Sequence, residues 1–97
     1  MNLTTAQLTQ IQSFFTDKPV VKAWVFGSFA RGTATENSDL DLLVELDYSR
    51  PIGLKYVEMM LDLQDLLDKK VDLVSEMSLS KYLKPRIDSE KQLIYVR

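Results

Sequence analysis

Apolar and polar positions along the chain follow two periods, and the switches between them mark the elements. Residues 4–16 repeat at helical spacing, with Leu8, Ile11, Phe14 and Phe15 on one stripe. Thr4 and Gln7 fit a capping box, and Leu3 with Leu8 fits the hydrophobic staple around it. Asp17-Lys18-Pro19 ends that pattern. Val20 to Phe26 (VVKAWVF) is a nearly continuous run of β-branched and aromatic residues, which predicts a strand covered on both faces. Gly27 stops it. Residues 28–35 read as one or two helical turns and a loop, with Ser28 as the N-cap.

From Leu40 to Leu46 the period becomes two. Leu40, Leu42, Val44 and Leu46 share one side; Asp39, Asp41, Leu43 and Glu45 share the other. That predicts a half-buried strand with an acidic end. Residues 47–53 read as a loop. Leu54 to Lys69 is the longest helical pattern, with Glu58, Asp62, Asp65 and Asp68 on a solvated face. Its apolar arc is wider than a surface helix needs. We expect the helix to lie deep against the sheet; the competing reading gives part of the arc, Met59 and Leu63, to another protein. Val71 to Ser75 is a short strand. Residues 79–88 predict a helix that Pro85 either kinks or begins, and Gln92 to Val96 predicts a last strand, at an edge. No internal repeat, low-complexity tract or linker interrupts the order. Helices and strands so interleaved predict a single α/β (α+β) domain over residues 1–97 with a small mixed β-sheet.

Composition adds exclusions. With 97 residues, 45% apolar and 27% charged, the chain fits a folded soluble domain. No apolar run has the length of a membrane span, and residues 1–5 lack the pattern of a signal peptide, so a cytoplasmic location is expected. There is no cysteine, which excludes disulfides and thiolate chemistry. There is no histidine either, which removes an imidazole base and any His-ligated zinc. A net charge of −2 argues against broad binding to duplex nucleic acid. Chemistry is left to carboxylates, hydroxyls, Lys, Arg, Tyr and bound ions.

Two short patterns meet that requirement. Asp39 and Asp41, two apart on a strand, point to one face with Cα atoms roughly 6.6 Å apart. Such carboxylates repel unless a cation lies between them, and Mg²⁺ is the natural hard-cation partner. Asp72, on another short strand, would bring a third carboxylate if that strand pairs beside residues 40–46. Three can hold two ions in the arrangement used for phosphoryl or nucleotidyl transfer. The second pattern is Gly27-Ser28 at a strand end. Glycine admits close approach of a ligand to the backbone, serine offers a hydroxyl, and the following turn offers N–H groups. Arg31 can reach a phosphate tail or close the site with a carboxylate. Alone, each pattern has an ordinary structural reading: a strand-to-helix turn, the polar face of an exposed edge, a solvated strand residue. The combination is far more specific.

On these residues the chain resembles the nucleotidyltransferase superfamily of the DNA polymerase β type: Gly27-Ser28, ten residues, then Asp39-x-Asp41, with Arg31-Gly32 inside the gap. More narrowly it resembles the minimal nucleotidyltransferase antitoxins encoded beside HEPN-family toxins. The resemblance implies a small mixed sheet with helices packed mainly on one side. It implies ATP as donor with two Mg²⁺ ions, and transfer of AMP to a tyrosine hydroxyl of the cognate HEPN RNase toxin, which silences it. It assigns Gly27 and Ser28 to nucleotide binding, and Asp39 and Asp41 to the metal ligands; Asp72 matches the third carboxylate by position only. Electrostatics and positioning would carry most of the catalysis, which suits a chain without histidine. Two alternatives remain open: an antitoxin that neutralises its toxin by binding alone, and nucleotidyl transfer to a small molecule or an RNA end.

Overall fold

The computed structural model describes all 97 residues, 1–97. Helix α1 (Thr5–Phe15) leads into β1 (Val20–Phe26), the short α2 (Gly27–Arg31), β2 (Leu40–Leu46), α3 (Lys55–Leu67), β3 (Val71–Ser75), a 3₁₀ turn (Glu76–Ser78), α4 (Lys84–Glu90) and β4 (Gln92–Val96). The strands form one sheet in the order β3-β2-β1-β4. β1 is antiparallel to β2 and to β4, and β2 is parallel to β3, so the sheet is mixed, as expected.

Local chemistry accounts for the helix ends. At α1, Gln7 N–H donates to Thr4 Oγ1 and Thr4 N–H donates to Gln7 Oε1, both at 3.0 Å, which completes the capping box. Helix α3 ends at Asp68, whose backbone enters the left-handed region at φ 50°. Pro85 lies in the first turn of α4, where its missing N–H costs nothing, so it begins the helix and does not kink it. The expected helix over 79–88 is therefore later and shorter at its start. Ser28 does not cap α2: that helix opens at Gly27 after Phe26, with no side-chain cap.

The core gathers residues from α1 (Ile11, Phe15), β1 (Val20, Ala23, Val25), β2 (Leu40, Leu42, Val44), α3 (Met59, Leu63) and β3 (Val71, Leu73). Met59 and Leu63 are almost wholly buried, so the inner arc of α3 is core and carries no partner. The exposed apolar residues on and beside that helix are Leu54, Val57, Leu61 and Leu66. Leu43, expected on the open face of β2, is also buried; it lies beside Trp24 of β1. A central strand is covered on both faces in a way that its alternation alone does not reveal. Tyr95 secures the far edge, its hydroxyl donating to the Phe15 carbonyl at 3.3 Å.

Candidate active site

Register places the chemistry. Phe26, the last residue of β1, is paired with Asp41 of β2, and Asp41 is paired with Asp72 of β3. The end of one strand and the beginnings of two others therefore meet at one rim of the sheet. Gly27 follows at once with φ 70°, a left-handed conformation that glycine adopts without strain. The turn is pressed onto the acidic strand: a Cβ at position 27 would overlap Asp41 Oδ2 and stand 3.2 Å from its Cγ. Only glycine allows that approach. After α2, Gly32 reverses the chain at φ 79° and Thr33 N–H donates to the Ser28 carbonyl at 3.0 Å.

Asp39 is delivered by a small polar turn. Thr35 N–H donates to Ser38 Oγ at 2.8 Å, and Ser38 N–H to the Thr35 carbonyl at 3.1 Å. Leu40 N–H then donates to the Lys70 carbonyl at 2.9 Å, which anchors the start of β2 beside β3. Asp39 itself precedes the strand and lies 3.6 Å from Lys70 Nζ.

Asp41 is the most perturbed acid here. Burial, then the neighbouring charges of Asp72 and Asp39, push it up to about 6; Arg31 opposes the rise and Glu90 adds to it. Like charges crowded on a half-buried carboxylate are what a cation would relieve. The donor set is all hard oxygen and so fits Mg²⁺. The three carboxylates are not gathered into one cluster of ligands, however: no group of three His, Cys, Asp or Glu side chains lies close enough to share an ion. Asp41 and Asp72 are cross-strand neighbours, whereas Asp39 pairs with Lys70.

A cleft of about 320 Å³ opens at this rim, lined by Gly27, Ser28, Arg31 and Asp41 together with Arg86 and Glu90 of α4. The last two are absent from the sequence reading. Glu90 Oε1 accepts from Gly27 N–H at 3.1 Å, and its Oε2 accepts from Arg31 Nη1 at 3.0 Å. Of the two roles open to Arg31, closing the site with a carboxylate is the one seen. Burial pushes Glu90 up, but hydrogen bonds from Arg31 and the Gly27 amide, with the charges of Arg31 and Arg86, together outweigh it and hold Glu90 below the usual glutamate range. No local pattern singles out Arg86 or Glu90, because α4 reaches the site only through tertiary packing.

A mixed four-stranded sheet that presents a glycine turn against an acidic strand start, with a cleft carrying Arg31 and Arg86 beside it, is the architecture of a nucleotidyltransferase domain. The family model described as "Polymerase beta, Nucleotidyltransferase" matches residues 9–97, and the chain belongs to that family. It is 46% identical over 74 residues to the "Putative protein adenylyltransferase MJ0126" of Methanocaldococcus jannaschii, covering 74% of this chain and 71% of that protein. Protein adenylyltransferase MntA of Thermococcus cleftensis is 39% identical over 72 residues, covering 74% and 70%. Among solved structures, a toxin-antitoxin crystal structure with AMP-PNP superposes with a TM-score of 0.79 at 25% identity, over 93% of this chain and 73% of that one.

Proposed function

We propose that this chain is a protein adenylyltransferase antitoxin, which transfers AMP from ATP to a tyrosine hydroxyl of a cognate HEPN-family toxin in the cytoplasm. The observation that carries the reading is the approach of Gly27 to Asp41, which puts a glycine backbone turn and a half-buried carboxylate in one cleft. The names of the relatives, protein adenylyltransferases, and the neighbour's toxin-antitoxin assembly with AMP-PNP support it.

In this reading Gly27 N–H, Ser28 and Arg31 bind the triphosphate, and the Gly27 turn sets its distance from Asp41. Asp39 and Asp41 would hold Mg²⁺, with Asp72 beside Asp41 as the third carboxylate of a two-ion site. Bound there, Mg²⁺ supplies charge neutralisation to the triphosphate and lowers the pKa of the acceptor hydroxyl. The hydroxyl oxygen attacks the α-phosphorus, the bond to the pyrophosphate oxygen breaks, and the hydroxyl proton passes to solvent. Asp41 must be ionised for its part in this.

The test is ATP-dependent labelling of the toxin by the wild-type chain and by Asp39→Asn and Asp41→Asn. Each variant should lose labelling by at least about 100-fold, as should the wild type in excess chelator. Retained labelling in either variant would sink the assignment of the carboxylates. The exposed apolar residues Leu54, just before α3, and Val57 and Leu61 on it favour a contribution from binding itself. Full neutralisation of the toxin by the inactive variants would make that binding the whole of the function.

A further inference from the structure

The Arg31–Glu90 contact lies inside the cleft, across the donors that a phosphate needs. One carboxylate oxygen takes the Gly27 amide and the other takes the Arg31 guanidinium. We propose that Glu90 is a built-in competitor for the nucleotide: its carboxylate takes the donors that would hold a phosphate, and the triphosphate must displace it to bind. This rests on the reading that the cleft takes a nucleotide.

Three features support displacement over a fixed brace. Glu90 is the last residue of α4 and its side chain is 16% exposed on the cleft side, so rotation about its own torsions suffices to vacate the position. Arg86 lies one turn earlier on the same helix and also lines the cleft, so a displaced carboxylate has a second cation within reach. The two donors also match an anion that carries more charge than a carboxylate. A triphosphate gains more from the same guanidinium and amide than Glu90 does, and it would be repelled by Glu90 if that side chain stayed. Without nucleotide, Glu90 leaves the site self-satisfied, and no buried side-chain polar atom in the molecule lacks a partner. The cost is a higher nucleotide concentration at half-saturation.

The test is calorimetric titration of α,β-methylene-ATP with Mg²⁺ into the wild-type chain, Glu90→Gln and Glu90→Ala. The ion pair is half exposed on its arginine side (43%), and pairs of this kind set the scale: Kd should fall about two- to five-fold in both variants. Inorganic triphosphate should show the same gain, because the competition is for phosphates and not for the base. A brace that merely positions Arg31 gives the opposite sign, since its loss weakens binding. Unchanged or weaker binding in either variant, with the wild type still binding, overturns the proposal and leaves the nucleotide site standing. A wild-type chain that binds neither probe overturns both.

Discussion

Replacing Gly27 by alanine separates the demands of the fold from those of the site. At φ 70° a non-glycine residue costs about 1–2 kcal/mol of backbone strain. For a domain of this length each kcal/mol lowers Tm by roughly 4–8 °C, so strain alone lowers it by about 4–16 °C. The new Cβ would also overlap Asp41 Oδ2, and that carboxylate must retreat by about 1 Å to restore ordinary contact. A displacement of this size at a reacting centre costs about 100-fold in rate. Asp41 ends in a rotatable carboxylate, so the variant should fold and fail at catalysis. Gly53→Ala is the control: it has φ 44° and nothing within 4 Å of its Cβ. It should lose comparable stability and keep full activity. Thermal unfolding and initial rates of AMP transfer, measured on both variants, decide the matter. If Gly27→Ala stays within about three-fold of the wild-type rate, the close approach has no catalytic meaning and the reasoning fails.

Asp41 also makes the stability of the metal-free chain depend on pH. Its folded value of about 6 lies above the ordinary 3.8, so its contribution is fully present below about 3.8 and is lost as pH rises through 6. Denaturant midpoints taken between pH 4 and 7 should show that slope, and Asp41→Asn should flatten it; an unchanged slope would contradict the assigned cause. In the same chain, a carboxyl ¹³C titration should place the Asp41 midpoint near 6, and added Mg²⁺ should draw it down. On α3, Leu63→Ala opens a cavity under the sheet and should cost about 2–5 kcal/mol, whereas Leu61→Ala on the outer side should stay within about 0.5 kcal/mol by denaturant unfolding.

Elements whose signal is local were legible from the residues. The capping box at Thr4 and Gln7, the apolar run of β1 and the alternation of β2 each reflect interactions within a few residues. Boundaries that depend on neighbours were less so. Pro85 permits either a kink or a start, and the packing of α4 chooses the start. Ser28 has the composition of an N-cap, yet the cap falls two residues earlier, at Phe26, and the helix opens at Gly27, which lies against Asp41. The arc of α3 reads as core or as interface until the sheet is in place; its inner residues Met59 and Leu63 are then buried and its outer ones exposed.

The site divides the same way. Spacing along the chain by itself singled out Gly27-Ser28 and Asp39-x-Asp41 as candidates for one chemistry, because a turn glycine and paired carboxylates carry their physical demands in their own backbone and charge. The structure decided how closely they meet. Antiparallel pairing brings Phe26 beside Asp41, and parallel pairing brings Asp72 to its other side; that crowding on a half-buried carboxylate raises Asp41. It also decided what the sequence could not show, that Glu90, from a helix 63 residues beyond Gly27, occupies the donors of the glycine turn. A charge acts through the space around it, and only the folded chain defines which groups share that space.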